Sequence, residues 1–459
     1  MTASRRLLPP SPAAPLSPLE VEDLLIEILL RLSPLPSSLP RASAVCKRWR
    51  HLISDPDFLV RFRLHHRPNP PLLGFFVTDW MRCLIGFLPL VRPGVPDLVR
   101  TNCFCQNHQI LSCRHGLLLI FLVKESQFQV WDPVTGVRHL IDPPPAQSLP
   151  AWVNGEVLRD ARDDDHFKIV LADVEGPRAI ACVYSSETSK WGDLVSAVLP
   201  PRASIGGPPA MKFSRMNALL VEKSLYWLLF DVPTNFSEAF RGVLCASSIL
   251  EFDVERQSLS VDRVPANLHH PKDHEISVIK ERGVGLCLLI VSGCHVHIWK
   301  RKREHNGGTS WVLGITTKLR HLLSPDPQNN GGTSWVLGRT IKLRHLLSPD
   351  PQNYAGQISI NAFAEYNHVV LLSTSIYYYT VELESLEVRR FQCRGSRYHP
   401  FESVYTTGNG GWPDAADLHS MLKRMVSFWS LELKKRATDD YATNFLLSFS
   451  ADKHSGMKV

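Results

Sequence analysis

The sequence predicts an α+β multidomain chain: a small N-terminal unit of three helices, a large all-β domain of β-propeller type, and a helical tail. Three observations carry that reading. Apolar residues recur at three-and-four spacing from Leu19 to Phe62. From Pro71 to Pro413 the pattern changes to short runs of β-branched and aromatic residues separated by turn residues, and beyond Pro413 helical spacing returns. The length, 459 residues, exceeds one ordinary domain and fits one large repeat domain beside a small module.

In the first helix, Val21, Leu24, Leu25, Ile28, Leu29 and Leu32 fall in one arc, and Ile26 and Leu30 form a second apolar strip outside it. A unit of about 45 residues buries too little surface to stand alone, so a helix apolar on two sides needs a partner for its second side. That partner is either the rest of the chain or another protein. Pro34, Pro36 and Pro40 stop this helix and restart the chain; Ser38 can cap, and Pro40 suits a first helical turn. A second helix is expected through Ala42, Val45, Cys46, Trp49, Leu52 and Ile53. Asp55 and Pro56 are a cap and first-turn pair for a third, which holds Phe58, Leu59 and Phe62.

The β region divides into units. Leu111 to Leu122 is followed by Gln129 to Leu140, whose Asp-Pro-x-Thr-Gly segment turns one strand back on the next. Phe167 to Ala172 goes with Ala181 to Leu194, Ala218 to Phe230 with Ile249 to Leu259, Gly285 to Val291 with His295 to Lys300, and Val369 to Ser373 with Ile376 to Phe391. Such repetition means radial stacking of four-stranded blades, and at about 40 to 50 residues per blade the span predicts six to eight. One repeat is of another kind. Residues 306–329 and 330–353 are adjacent copies that differ only at Ile315 against Arg339 and Thr317 against Ile341. A 24-residue unit is too short for a blade and too nearly identical to be old architecture, so it is a recent tandem duplication or an error of gene assembly. One copy is expected to supply the Trp-bearing strand of its blade and the other to loop out, which makes this blade the weakest.

The string Val45-Cys46-Lys47-Arg48-Trp49-Arg50, preceded by Leu39 and the acidic, leucine-rich segment Glu22 to Leu32, resembles an F-box, the module that docks substrate receptors on the Skp-type adaptor of SCF ubiquitin ligases. The segments LSCRHGLLLI from Leu111, VWDPVTG from Val130 and VYSSETSKW from Val183 are similar to the F-box-associated β-propeller region of plant F-box proteins. Grass-type members of that family share the Pro-rich loop at Pro34 to Pro40. One position departs: the family usually opens with Leu-Pro, and here Leu19 is followed by Glu20, which loosens the first turn. The resemblance divides the chain into a disordered leader (1–18), an F-box (19–66), a propeller-like domain (71–413) and a helical or disordered tail (414–459). It implies adaptor contacts, or support for them, from Leu19, Leu24, Ile28, Leu29, Leu32, Leu39, Val45, Cys46 and Trp49, with Ile26 and Leu30 as additional candidates. It also implies a cullin scaffold reached through the adaptor, an unknown protein target on the propeller, and a role in binding and positioning rather than chemistry.

Composition narrows the alternatives. A net charge of +7 spread over the chain, with no concentrated basic face, argues against nucleic acid as the partner. Ten cysteines without regular spacing and no secretory signal read as reduced thiols in the cytoplasm or nucleus. Prolines at 9, 10, 12, 15 and 18 break any signal-peptide core, and no run of eighteen apolar residues predicts a membrane span. GxSxG, P-loop, GxGxxG and HExxH motifs are missing. Cys103, Cys105, His108, Cys113 and His115 have no common zinc spacing and read as core or loop residues. The cluster His269 to Glu275 reads as a solvated loop, and Asp163 to Asp165 lack the spacing of a calcium loop. No cofactor or metal is expected. Lys300 to Arg303 reads first as a solvated hairpin tip and second as a nuclear import signal. Leu418, Met421, Leu422, Met425, Phe428, Trp429 and Leu433 predict a tail helix packed on the propeller. Two other readings remain open: a ligand-binding or enzymatic propeller with convergent polar groups at its channel, and a structural interaction protein that does not engage the adaptor.

Overall fold

A computed structural model describes residues 19, 21–35, 37–79, 84–90, 103–104, 108–144, 154–159, 166–201, 211–231, 245–264, 274–281, 285–292, 295–303, 309–313, 341–342, 358–374, 377–391, 395 and 397–404. The leader, the tail helix and Asp163 to Asp165 lie outside the described residues.

The N-terminal module holds four helices, α1 (Glu22–Leu30), α2 (Ser38–Ser43), α3 (Lys47–Ser54) and α4 (Pro56–His66), where the sequence predicts three. The expected second helix is divided because Val45 lies in a turn and Cys46 is extended, with φ −159°. Cys46 then caps α3, its Sγ accepting from the Trp49 N–H at 3.5 Å. A thiol is not among the usual capping groups, so periodicity carries the helix through this break. Asp55 and Pro56 open α4 as expected, with Asp55 Oδ1 accepting from the Asp57 N–H at 2.8 Å. Glu22 and Asp23 sit at the positive end of the α1 dipole.

The remaining described strands form six antiparallel sheets, the blades of a propeller. Blade 1 takes β1 (Leu72–Asp79), β2 (Leu84–Pro89) and β3 (Cys103–Phe104); blade 2 is β4 (His108–Arg114), β5 (Leu117–Leu122), β6 (Gln127–Trp131) and β7 (Arg138–Ile141). Blade 3 contains β8 (Asn154–Arg159), β9 (Phe167–Glu175), β10 (Arg178–Ser185), β11 (Lys190–Trp191) and β12 (Val195–Val198). In blade 4 an inner strand in two pieces, β13 (Met211–Phe213) and β14 (Leu219–Val221), precedes β15 (Ser224–Asp231), β16 (Cys245–Asp253) and β17 (Ser258–Arg263). Blade 5 comprises β18 (His274–Glu281), β19 (Gly285–Ser292), β20 (His295–Arg303), β21 (Thr309–Leu313) and β22 (Ile341–Lys342). Blade 6 is β23 (Ser359–Ala364), β24 (Val369–Ser373), β25 (Tyr378–Glu382) and β26 (Val388–Phe391). The last strand, β27 (Arg397–Glu402), returns to β1 as the inner strand of blade 1, with Phe75 opposite Pro400 and Leu72 opposite Glu402. The chain's late strand thus latches the ring shut on its earliest one.

Alternating apolar residues fill the gaps between blades. Leu119, Phe128, Ile169 and Leu171 share one buried cluster between blades 2 and 3, while Phe75, Val77, Leu371 and Tyr398 share another between blades 1 and 6. The ring has two ends. At one, β27 finishes at Glu402, β1 begins, and blade 2 makes its Arg114–Leu117 hairpin. His115 and Gly116 both have positive φ, 52° and 76°, the mirrored two-residue turn, and a Cβ on Gly116 would lie 2.6 Å from Ser403 Oγ. Helix α4 leads into β1 at this end, and Val404 packs into the core of the helical module. At the other end β27 begins, at Arg397, about 17 Å away along the strand.

Blade 5 shows what the duplication does. Leu313 of the first copy pairs with Trp299 on β20, and Ile341 of the second copy pairs with Val296 on the same strand. Both copies contribute backbone to one outer edge, instead of one copy supplying it alone. Subtracting the 24-residue repeat turns Ile341 into position 317, one residue beyond the position 316 that an unbroken strand would place opposite Val296. The two pieces are therefore one strand with a single-residue bulge, opened by the insertion of one copy.

Deleting residues 314–337 joins Leu313 to Gly338 and restores a single copy. The intervening segment shortens about ninefold, so loop-closure entropy alone predicts a gain of roughly 2 kcal/mol for the pairing of β22. Thermal unfolding should show a higher midpoint for the deletion variant; a lower midpoint would mean that the second copy contributes packing of its own.

Candidate functional site

Two features of the described residues stand apart from ordinary packing. The first is the outer face of α1. Leu25 and Leu29 are fully buried, whereas Leu24 and Ile28, one residue earlier in each turn, are 48% and 40% exposed. A single apolar arc is thus divided between an inward and an outward face. Leu19, Val45 and Cys46 are also exposed. Arg48 donates from Nη1 to the Leu19 carbonyl at 3.1 Å and pins the segment before α1 to α3.

The other sequence-level candidates are placed differently. Leu29, Leu30 and Leu39 are buried in the module's core, and Ile26, Leu32 and Trp49 pack against it half-buried. Leu30 is no second docking strip: its side chain is internal, and its carbonyl lies 2.8 Å from His66 Nε2 on α4. The apolar surplus on that side is used within the chain, where Val404 joins the same cluster. The joint with the propeller is short and hydrogen-bonded. Asn367 Nδ2 donates to the Pro70 carbonyl at 3.0 Å, and the Ser403 N–H donates to the Pro71 carbonyl at 3.2 Å.

The second feature is a charged axis. Arg114 at the end of β4 is buried, and its guanidinium donates to Glu156 of blade 3 at 3.2 Å, to the Ala218 carbonyl of blade 4 at 2.6 Å, and to Glu365 beside blade 6. Glu156 also accepts from the Ala218 N–H at 2.7 Å. Glu402 of β27 accepts from the backbone N–H groups of Glu365, Tyr366 and Asn367, each at 3.0 Å, and from Asn367 Nδ2 at 2.7 Å. His368 Nδ1 lies 3.1 Å from the Lys280 carbonyl and carries the tie to blade 5. Burial opposes the charge on Arg114, but Glu365 and Glu156 outweigh it and raise its pKa. Burial pushes Glu156 up to about 7 against the pull of Arg114, and Glu402 up to about 7 against that of Asn367. His399, buried on β27 and next affected by Arg397, is held down to about 3.

Lys300 to Arg303 form part of strand β20 and not a hairpin tip. Lys300 pairs with Glu281 at 2.9 Å; Arg301 pairs with Glu251 at 3.1 Å and with Asp262, and lies over the Tyr226 ring, clamping blade 5 to blade 4. The sequence hides the role of Arg301 because it sits among four consecutive cations while its own partners are 50 and 39 residues away. His115 is spent structurally, Nδ1 accepting from the Arg159 N–H at 3.1 Å. Among the described residues no three His, Cys, Asp or Glu side chains gather as a metal site, and no helix is long and apolar enough to cross a membrane.

A four-helix module fused to a six-bladed ring defines the class. The F-box domain family matches residues 21–61, and the family described as "F-box protein AT5G49610-like, beta-propeller" matches residues 109–404. The chain belongs to this family of plant F-box proteins. It is similar to the putative F-box/kelch-repeat protein At1g15680 of Arabidopsis thaliana, 28% identical over 45% of this chain and 52% of the relative. Putative F-box protein At3g16210 of the same plant is 25% identical over 49% and 56%, and At3g25460 is 22% identical over 65% and 79%. The chain spans about half the length of the first two relatives. The WD40 domain of SCAP from fission yeast aligns at 10% identity over 63% of this chain and 52% of that one with a TM-score of 0.29, an overlap too loose to inform the site.

Arg114→Leu leaves Glu156 and Glu365 buried without their cation, a change expected to cost about 3 to 5 kcal/mol. Urea unfolding should show the loss at pH 8, with a smaller loss at pH 5, where protonation relieves Glu156, whose pKa burial raises to about 7; an equal loss at both pH values would contradict the ionic account. Glu402 titrates higher folded than unfolded, so its contribution is full below about 4.5 and lost as pH rises to about 7. The stability gap between the wild type and Glu402→Gln should therefore narrow over that window, and a gap that widens would overturn this assignment.

Proposed function

We propose that the chain is the substrate-receptor subunit of an SCF-type ubiquitin ligase, docking on a Skp-type adaptor, and through it on a cullin scaffold, by the outer face of α1. The observation that carries this reading is the divided helix: Leu24 and Ile28 stay open to solvent although Leu25 and Leu29 already complete the module's own core. Exposed leucine and isoleucine on a helix with Glu22, Asp23 and Glu27 around them suit a hydrophobic groove with a polar rim. Leu19, Val45 and Cys46 extend the patch, while Leu29, Leu30, Leu39 and Trp49 act by holding its shape.

The propeller then holds a protein target. Its short joint to α4, through Pro70, Pro71 and Val404, favours a fixed orientation between adaptor and target over a flexible tether. The contribution to ubiquitin transfer is effective concentration of target lysines near the conjugating enzyme, with no chemical step by this chain. Such a role places the protein in the cytoplasm or nucleus.

Replacing both Leu24 and Ile28 with glutamate puts charge on the open face and leaves the buried face intact. Capture by a Skp-type adaptor should fall at least about a hundredfold, by the scale of interface hot spots, while circular dichroism and the unfolding midpoint stay near wild type. Capture at wild-type level would remove α1 as the docking element.

A further inference from the structure

The outer edge of blade 5 has room for one strand, and the chain carries two copies of the sequence that fills it. In β21 the first copy lays Thr309–Leu313 along β20, from Thr309 opposite Arg303 to Leu313 opposite Trp299. Residues 333–337 of the second copy also read Thr-Ser-Trp-Val-Leu, and the identity runs without a break through 306–314 and 330–338. The same residues at the same spacing offer β20 the same backbone pairing and the same cross-strand partners, so nothing in the pairing itself selects between the copies.

The second copy already holds a place on this edge. Ile341 pairs with Val296 and Lys342 with His295, and Ile341, one of the two positions at which the copies differ, stands where Thr317 would stand if the first copy supplied the whole strand. Between the partners of Leu313 and Ile341, β20 has only His297 and Ile298. Residues 338–340 bring three residues to those two places, the count of a single-residue bulge, so 333–342 can run along β20 as one continuous strand. In that register the extra chain leaves between β20 and the outer strand, as 304–332, instead of in mid-strand, as 314–340. Either register closes one short connection and one long one, and loop-closure entropy separates them by only about twofold in population, in favour of the continuous strand.

We propose that the outer strand of blade 5 exchanges between the two copies, Thr309–Leu313 in one register and 333–337 in the other, with β20 as the fixed template. Ile341 and Lys342 keep their places in both, so only the pairs from Arg303 with Thr309 to Trp299 with Leu313 have to open, and the other blades are untouched. The exchange moves the extra chain between the flank of blade 5 and the end of the ring where β20 finishes. Strand β20 runs antiparallel to β19 and so in the direction of β18, whose Lys280 carbonyl meets His368 at the end that carries the helical module. No ligand or second protein is needed for this two-register edge, and adaptor docking does not enter it.

Paired prolines test the exchange. Of two adjacent residues in an outer strand, one turns its N–H toward the neighbouring strand, so Trp311→Pro with Val312→Pro removes the first copy from competition, and Trp335→Pro with Val336→Pro removes the second. Amide hydrogen exchange of the full-length chain, read on residues 299–303 of β20, should quicken by less than about threefold in either variant, because the other copy takes over, and by about tenfold or more when all four are proline. Exchange in the first-copy variant as fast as in the fourfold variant would overturn the proposal. The chain without prolines, labelled with 5-fluorotryptophan, gives an independent reading in 19F spectra: Trp311→Phe and Trp335→Phe assign the signals, and the chain lacking 314–337 supplies the strand-bound position. Trp335 should take that position in about a third or more of the molecules. Trp335 found only elsewhere would mean that the first copy alone forms the strand.

Discussion

The fold depends on one buried guanidinium. Arg114 stands at the end of an inner strand, held by a two-residue turn that only His115 and Gly116 with positive φ can make, and it ties blades 2, 3, 4 and 6 across the axis. The apolar gaps between blades supply most of the driving force but are non-directional. Apolar packing alone would tolerate small rotations of one blade against the next; a planar cation with fixed donors does not. Glu402 adds blade 1 to the same network, so the latch strand β27 is held by its backbone pairing with β1 and by its side chain at the axis.

This arrangement also fixes where the helical module sits. The strand that closes the ring ends beside the residues that open it, and α4 enters at that point, so Val404 can complete the module's core. The module is therefore seated on the end of the ring where the charge network lies. Once its inner side is completed in this way, the apolar side chains left over on α1, Leu24 and Ile28, face outward, and the proposed docking rests on them.

Much of this was legible in the sequence because both periodicities are strong. Five of the six blades correspond to strand pairs visible as β-branched runs, and the cap at Asp55 was readable from two residues. Blade 1 was not legible, because its inner strand comes from Arg397–Glu402 and its other strands from the far end of the propeller sequence. The break at Cys46 escaped because a thiol cap leaves the apolar spacing unchanged. Charged residues were the least readable: Arg114 and Arg301 look like surface cations until the fold brings their carboxylates to them. The same limit applied to α1, where spacing placed Leu24 and Leu25 in one arc and only packing divides them.

Amide hydrogen exchange of the full-length chain, alone and with a Skp-type adaptor, distinguishes docking through α1 from docking through the propeller. Adaptor binding is expected to slow exchange in residues 19–32 and 45–50 and to leave the blade strands unchanged. Protection that falls on the propeller, with none on α1, would contradict the account.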